Sequence, residues 1–195
     1  MTANTIEQNK LRTFFEDHSE LWLFAYGSIL YKIDFDYLEK RPAHIIGWER
    51  KLWQGSHDHR GTPGSPGRVV TLIESPEQRC DGLAILITPD VFEHLDIREK
   101  NGYLRTSVEI MFEDKASREG LVYIADPDNT AFLGHATDED IALQIVSSSG
   151  PSGSNTEYVL SLAEALRGLG AHDEHVYSIE RSILRYSKSI PKKNS

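Results

Sequence analysis

The sequence has little cysteine and no long apolar run. Its 195 residues include one cysteine, Cys80, which excludes an internal disulfide. No uninterrupted apolar segment reaches the roughly 18 residues that a membrane-spanning helix requires, and no signal-peptide pattern opens the chain. We therefore predict a soluble, cytoplasmic protein. A lone cysteine is more often a small buried hydrophobe than a nucleophile, and we expect this of Cys80.

Basic residues are also scarce relative to acidic ones. The chain has 21 Lys and Arg against 30 Asp and Glu, a formal net charge of −9. Nucleic acids and anionic membranes are bound by clustered Lys and Arg, and the basic cluster of this sequence is a short tail from Lys188 to Lys193. The charge balance therefore argues against a nucleic-acid or membrane partner.

The composition predicts one domain over residues 1–195. Hydrophobic residues make up 39% and charged residues 26% of the chain, as in ordinary globular proteins, and no linker rich in Pro, Ser or Gly separates two periodic blocks. Residues 4–17 place Leu11, Phe14 and Phe15 at helical spacing. We expect this N-terminal helix and the basic tail to be peripheral to a core of about residues 21–180.

Strand patterns fill the first two thirds of the chain and helical patterns the last third. Helices are predicted after Thr88-Pro89, from Thr137, from the capping box that begins at Ser154, and around Val176. Without βαβ alternation, the pattern predicts an α+β fold with a small, strongly curved or barrel-like mixed sheet and flanking helices. The predicted strands are 21–24, 44–54 with a bend at Gly47, 69–73, 82–87, 104–112 and 120–125.

The first candidate site is the turn that follows the apolar strand at Leu21. Tyr26-Gly27-Ser28 comes directly after the strand. Gly27 can adopt φ > 0 and lets a ligand approach the main chain. Successive N–H groups in such a turn suit a carboxylate or an oxyanion. An ordinary strand-to-loop turn would use the same residues, so the turn alone does not identify a site.

The second candidate site is the loop at residues 55–68, which is polar and rich in Gly and Pro. It is not a P-loop, because no Gly-Lys-Ser/Thr follows the glycines. His57 and His59 flank Asp58, but no second Cys/His cluster completes a metal site. Two interpretations stay open: a rigid connection between strands, or a substrate-shaping loop whose Arg68 presents a guanidinium to a carboxylate.

Five segments together resemble the ChaC-type γ-glutamylcyclotransferases. They occur in that family's order and span about residues 21–180. The His-Arg-Gly-Thr-Pro block and the Gly-x-Ser-Gly-x-Asn-x-Glu-Tyr block are specific. The resemblance implies a cyclotransferase-like fold, with a β-barrel core and flanking helices, and cleavage of glutathione to 5-oxoproline and cysteinylglycine. The segments are 24–28, 47–50, 56–68, 98–103 and 150–158.

The resemblance also implies roles for individual residues. Glu99 matches the proton shuttle, and we expect its side chain to project into a cleft while Arg98 and Lys100 face other ways. The substrate's own α-amine would be the nucleophile, so no cofactor or metal is expected. Arg68 is our own addition as a carboxylate clamp. The γ-glutamyl group would bind in the turn formed by Leu23, Phe24, Ala25, Tyr26, Gly27 and Ser28.

The chain departs from the family's usual pattern at three places. Ala25 replaces a usual Gly, Ile29-Leu30-Tyr31 replaces Leu-Ile-Trp, and Phe132 replaces a Tyr, which could remove a polar contact from the pocket. Two other functions stay open: a cyclotransferase for other γ-glutamyl amines or amino acids, and a non-catalytic ligand-binding regulator of transport. The sequence does not determine the oligomeric state.

Overall fold

A closed barrel of five strands lies at the centre of the protein in the computed structural model, which describes residues 3–13, 15 and 17–189. Around the barrel the strands follow the order β1-β3-β2-β4-β5, and β1 closes it by pairing antiparallel with β3 and parallel with β5. The predicted α+β fold with a mixed, barrel-like sheet is confirmed. The strands are β1 Leu21–Ala25, β2 Glu39–Ser56, β3 Gly67–Ile87, β4 Tyr103–Phe112 and β5 Ser117–Ala125.

Strand β1 is covered on both faces, as its apolar sequence predicts. Leu23 is 1% exposed and Phe24 is 2% exposed. Successive side chains of a strand point to opposite faces, and these two residues accordingly pack into two different core clusters, Leu23 beside Ile85 and Phe24 beside Leu72. The strand therefore fixes the start of the turn at Tyr26 from both sides.

Strands β2 and β3 form one long hairpin, which differs from the prediction. The predicted strands 69–73 and 82–87 belong to a single strand, β3, and the connecting loop shrinks to residues 57–66. The bend at Gly47 is present: its φ is +89°, and the register changes from Ile46 opposite Arg79 to Trp48 opposite Glu74. Because this bulge absorbs the irregularity, pairing continues on both sides of it.

Helices cover the barrel where the sequence places its capping signals. The Thr137 hydroxyl accepts a hydrogen bond from the Asp140 N–H at 3.2 Å, and the Ser154 hydroxyl accepts one from the Glu157 N–H at 3.1 Å. Both bonds cap helix starts as predicted. Three of the helices are α3 Asp138–Ser147, α4 Asn155–Gly168 and α5 Glu174–Ser189; α2, Phe92–Arg98, follows a 3-10 turn at Pro89–Val91, and a small hairpin of β6 Ser149–Gly150 and β7 Gly153–Ser154 precedes α4.

The N-terminal helix is shorter than predicted. Helix α1 covers Ile6–Lys10, and Leu11 is 83% exposed; Phe14 lies outside the described residues. Polar bonds hold this segment to the barrel, because the Asn9 side chain donates to the Tyr103 carbonyl at 3.1 Å and accepts from the Arg105 N–H at 2.9 Å. Phe15, which lies beyond the helix, is 5% exposed and belongs to the core, so polar side chains of the helix and one of the predicted apolar side chains anchor this segment.

Helix α5 ends at Ser189, the last residue that the structure describes. Residues 190–195, which include most of the predicted basic tail, lie outside the described residues. Within the described chain, no helix is both long and apolar enough to cross a membrane. The single-domain assignment stays a prediction.

Candidate active site

A cavity of about 200 Å³ lies where β1 runs into a 3-10 turn at Ser28–Leu30. This is below the roughly 300–1,000 Å³ of pockets for drug-sized ligands, so the cavity suits a small molecule. Parts of the chain that are distant in sequence build its walls, among them the β1 turn, the end of α2, the 57–66 loop and the start of α4. Lining residues include Leu23 to Ser28, Tyr31, Asp58, Arg60, Arg98, Glu99 and Tyr158.

The turn of the first candidate site lines the cavity with all six of its predicted residues. Gly27 has a φ of −119°, so the expectation of a positive φ is wrong. Glycine also relieves crowding here, because a Cβ would lie 3.1 Å from Val70 Cγ2 and the valine side chain would have to shift slightly. Among the described residues, no acceptor pairs with the N–H groups of Gly27 and Ser28. These donors are available to an anionic group.

A buried arginine that the sequence analysis assigned no role holds this turn in place. Arg50 is 2% exposed, and its Nε donates to the Tyr26 carbonyl at 2.7 Å. Its other nitrogens bond the Asp81 carbonyl and the Asp173 carboxylate. The Tyr26 hydroxyl donates to the Tyr123 carbonyl at 2.8 Å. Tyr26 is thus fixed at both ends. Arg50 belongs to the 47–50 segment of the resemblance, but its partners lie far away in sequence.

Glu99 lies in the cavity at the C-terminal end of α2. Its N–H donates to the Leu95 carbonyl at 2.8 Å, which completes the last helical turn, and its side chain is 17% exposed. Burial raises the pKa of Glu99, the Arg98 guanidinium at 3.3 Å opposes that rise, and the Asp34 carboxylate adds to it. The position combines access to the cavity with a carboxyl group that holds its proton more tightly than an exposed one.

Arg98 also lines the cavity, so the expectation that it faces elsewhere is wrong. Its side chain is 13% exposed; Nη2 donates to the Ser28 hydroxyl at 2.9 Å, and Nη1 pairs with Asp34. The helix ends at this residue, which lets both Arg98 and Glu99 turn toward the same cavity. Lys100 is not among the lining residues. Arg98 therefore ties the catalytic candidate to the β1 turn.

Arg68 does not reach the cavity. The residue is 6% exposed, and its Nε donates to Gln144 Oε1 at 2.7 Å. Its Nη1 donates to the carbonyls of Leu52 and Gly134, both at 3.1 Å. We therefore assign Arg68 the structural role of joining β3 to β2 and α3, and not the predicted role of a carboxylate clamp.

A different arginine, in the 57–66 loop, faces the cavity. Arg60 Nη1 donates to the Ser154 carbonyl at 3.1 Å and to Glu157 Oε2 at 3.2 Å. The guanidinium carbon lies 5.7 Å from the centre of the Tyr158 ring. The loop is tightly folded, since a Cβ at Gly61 would lie 2.1 Å from the Gly67 nitrogen. Of the two interpretations of this loop, the position of Arg60 favours a segment that shapes the cavity over a rigid connection alone.

Comparison with known proteins places this geometry in a family. Residues 21–186 match the family described as ChaC-like protein. This chain belongs to that family. The γ-glutamylcyclotransferase 2-3 of Arabidopsis thaliana is 42% identical, over 84% of this chain and 88% of the relative. The glutathione-specific γ-glutamylcyclotransferase 1 of Danio rerio is 41% identical, over 88% and 93%.

A solved relative supports the same assignment. The crystal structure of a γ-glutamyl cyclotransferase from yeast, described as specific to glutathione, superposes with a TM-score of 0.81 at 30% identity. The superposition covers 87% of this chain and 97% of the yeast chain. The resemblance stated from the sequence motifs is therefore confirmed, both in family and in fold.

Tyrosines form much of the remaining wall in this ChaC-like protein. Burial raises the pKa of Tyr26, Tyr103 and Tyr158, and the Glu99 charge adds to each rise. The Tyr103 hydroxyl donates to the Val70 carbonyl at 2.6 Å, and the Val70 N–H donates to the Tyr158 hydroxyl at 3.1 Å. The hydroxyl groups of these three tyrosines therefore stay protonated at neutral pH. Phe132 is not a lining residue, so the replacement of the family's usual Tyr by Phe at this position removes no side chain from the cavity wall.

Cys80 is packed in the core of this ChaC-like chain and does not line the cavity. It is 3% exposed, and burial raises the pKa of its thiol to about 11. A thiol with such a pKa is a poor nucleophile near neutral pH. Within the described part of the chain, no three His, Cys, Asp or Glu side chains are grouped closely enough to hold a metal ion.

Proposed function

We propose that this protein is a γ-glutamylcyclotransferase that cleaves glutathione to 5-oxoproline and cysteinylglycine. The observation that carries the proposal is the placement of a partly buried carboxyl group, Glu99, in the same cavity as the Leu23 to Ser28 turn. Family membership and the names of the relatives support the same reaction. The substrate is accordingly a small molecule.

The reaction asks little of the protein, because the substrate carries its own nucleophile. The α-amine of the γ-glutamyl group attacks the γ-carbonyl carbon, which forms the N–C bond of a five-membered ring and breaks the bond to the cysteinyl nitrogen. Intramolecular reactions with fixed geometry reach effective molarities of about 10⁵ to 10⁸ M. A cavity that holds the γ-glutamyl chain folded therefore supplies a large part of the acceleration.

Glu99 is proposed to carry protons from the α-nitrogen to the departing cysteinyl nitrogen. The α-ammonium loses two protons as it becomes the N–H of the ring: the Glu99 carboxylate accepts one and passes it to the departing nitrogen, which leaves as an amine, and the other goes to solvent or to that amine, so the enzyme ends as it began. A carboxyl group with a raised pKa suits this task, because its carboxylate is a stronger base toward the ammonium proton and its pKa lies closer to neutral pH, where one group can both accept and return a proton. Burial, opposed by Arg98, provides the raised pKa.

The β1 turn is proposed to bind the negatively charged groups of the substrate and of the reaction intermediate. The N–H groups of Gly27 and Ser28 would donate to the γ-glutamyl carboxylate or to the oxyanion that forms at the γ-carbonyl. Arg50 supports this role indirectly, because it fixes the Tyr26 carbonyl just before those two groups.

The test is an assay of purified protein treated with EDTA and supplied with reduced glutathione. We expect equal amounts of cysteinylglycine and 5-oxoproline, without added metal or nucleotide. Release of free glutamate in place of 5-oxoproline would show hydrolysis and would rule out the cyclisation mechanism. γ-Glutamyl-alanine assayed in parallel separates a glutathione enzyme from a cyclotransferase for γ-glutamyl amino acids.

A further inference from the structure

Two residues of the cavity wall each carry a buried polar atom without a close hydrogen-bond partner among the described residues. These atoms are the Tyr31 hydroxyl and Asp58 Oδ1, and both are shielded from solvent. Unpaired buried polar atoms are unfavourable and uncommon in native proteins. Both residues line the cavity, where an anionic group of a ligand can accept a hydrogen bond from the Tyr31 hydroxyl, whereas Asp58 Oδ1 is an acceptor and needs a donor group of the ligand.

Two arginines influence the Tyr31 hydroxyl, and Arg60 has fewer charged partners than Arg98. Burial raises the pKa of Tyr31, and the guanidinium groups of Arg60 and Arg98 oppose that rise. Arg98 is engaged with Asp34, Glu99 and Ser28. The close hydrogen bonds of Arg60 both use Nη1, and a longer hydrogen bond with the Tyr31 hydroxyl also opposes the rise in the Tyr31 pKa.

Arg60 is held in place before any ligand binds. Its side chain is 12% exposed. Its N–H donates to the Ser56 hydroxyl at 2.9 Å, and the carbonyl of the preceding residue, His59, accepts from the Ser152 N–H at 3.0 Å. A guanidinium fixed in this way loses little freedom when it binds a planar carboxylate through two parallel N–H groups. Lys32 also lines the cavity but lies on its exposed rim.

We propose that Arg60 and the Tyr31 hydroxyl bind the C-terminal carboxylate of the departing dipeptide and so select γ-glutamyl dipeptides over γ-glutamyl compounds that lack this group. The inference rests on the proposed function. Glutathione carries two carboxylates, and the turn with Glu99 serves only its γ-glutamyl half. The glycine carboxylate at the other end of the substrate needs a separate cationic site. Of the two arginines described in the cavity wall, Arg98 pairs with two carboxylates and Arg60 with one, Glu157.

The test compares glutathione with glutathione amide, in which the glycine carboxylate is replaced by a neutral carboxamide. The measured quantity is the ratio of kcat/KM for the two compounds. We expect the wild-type ratio to favour glutathione by about 10- to 100-fold, as for a charge-assisted pair. Arg60→Met, which keeps the length but removes the charge, should bring the ratio close to 1, mainly through loss on glutathione. Tyr31→Phe should lower it by about 2- to 10-fold.

The matched control is Glu157→Gln, which removes the carboxylate that competes for Arg60 and should leave the ratio unchanged or raise it. A wild-type ratio near 1, or an Arg60→Met variant that loses both substrates equally, overturns the inference, because Arg60 would then act on the γ-glutamyl half or on folding alone. If circular dichroism shows Arg60→Met to be unfolded, the ratio for Tyr31→Phe decides, and an unchanged ratio overturns the inference. Wild-type protein inactive on both compounds overturns the proposed function itself, and the inference with it.

Discussion

The Glu99 carboxyl group is 17% exposed in the cavity, with the Arg98 guanidinium 3.3 Å away. Its helix carries another acid, Glu93, which is exposed in the first turn of α2. The two residues have the same chemistry and differ in burial and in access to the cavity. They therefore form a matched pair for testing whether position, and not residue type, determines proton transfer.

At the residue scale, we predict that Glu99→Gln lowers kcat for glutathione by about 100-fold or more. Glutamine keeps the size and most of the hydrogen-bonding capacity, but it cannot accept the ammonium proton, and positioned acid–base groups typically contribute about 10²- to 10⁴-fold. Thermal stability and KM should change little. Steady-state kinetics and a thermal unfolding curve on the purified variant check this expectation.

Glu93→Gln provides the control for that measurement. An exposed carboxylate outside the cavity should tolerate the change, with kcat within about twofold of wild type and a free energy of unfolding within about 0.5 kcal/mol. Equal, small effects of the two substitutions on kcat would contradict the assignment of Glu99 as the proton shuttle.

At the element scale, the C-terminus of α2 and the segment after the β1 turn meet through one charge network. Arg98 pairs with Asp34 and Glu99 and donates to the Ser28 hydroxyl. The Arg98 charge lowers the pKa of Glu99, whereas the Asp34 charge raises it, both against a background of burial that raises it. Two elements therefore set the pKa of a residue that belongs to only one of them.

We predict that substitutions on these two elements move the acidic limb of the pH profile in opposite directions. Proton transfer needs the Glu99 carboxylate, so kcat/KM falls as the pH drops through the pKa of Glu99 in the free enzyme. Arg98→Met removes a charge that lowers this pKa, and the limb should move to higher pH. Asp34→Asn removes a charge that raises it, and the limb should move to lower pH. Profiles of kcat/KM between pH 4 and pH 9 measure both shifts.

The opposite signs separate this electrostatic effect from simple damage to the site. Loss of the Arg98 bond to Ser28 lowers activity at every pH without moving the limb. If the two variants leave the limb where it is in wild type, or shift it in the same direction, then the acidic limb does not report Glu99.

At the scale of the whole molecule, His175 joins α5 to the barrel. Its Nε2 accepts a hydrogen bond from the Leu52 N–H at 3.0 Å, which requires the neutral ring, and its side chain is 11% exposed. Burial, together with the nearby Lys51 charge, lowers the pKa of His175 to about 4. The folded protein therefore keeps this histidine neutral at pH values where the unfolded chain protonates it.

We predict that this histidine makes the fold less stable in mild acid. In the unfolded chain His175 binds a proton below about pH 6.5, and in the folded protein only near pH 4. The free energy of unfolding therefore decreases as the pH is lowered from about 6.5 to about 4. The contribution amounts to a loss of about 2 kcal/mol between pH 7 and pH 5. In His175→Gln, which retains an acceptor for the Leu52 N–H, the free energy of unfolding should change less over this range. Urea unfolding at both pH values measures the difference.

The exposed neighbour His172 supplies the comparison. His172→Gln should show the same change in unfolding free energy between pH 7 and pH 5 as wild type. The prediction fails if His175→Gln loses as much stability on acidification as wild type does, because other groups would then account for the whole pH dependence.

Much of the architecture was predictable because its signals are local. The apolar run at Leu21 predicts a strand covered on both faces, and the hydroxyls of Thr137 and Ser154 predict where two helices begin. The Tyr26-Gly27-Ser28 turn follows its strand directly, so its place at the end of β1 was also predictable. Hydrophobic periodicity and capping depend on residues a few positions apart, which is the range that a single sequence displays.

Contacts across the barrel were decided only by the tertiary structure. The 57–66 loop and β3 each offer an arginine, and the sequence does not say which one faces the cavity. Arg68 is bound by Gln144, 76 positions away, while Arg60 meets Glu157, 97 positions away. The predicted strands 69–73 and 82–87 likewise form one strand, β3, because both pair with β2. The sequence by itself determined the fold class, the turn and the candidate acid; closure of the barrel determined which charged side chains surround that acid, because their directions are set by partners far along the chain.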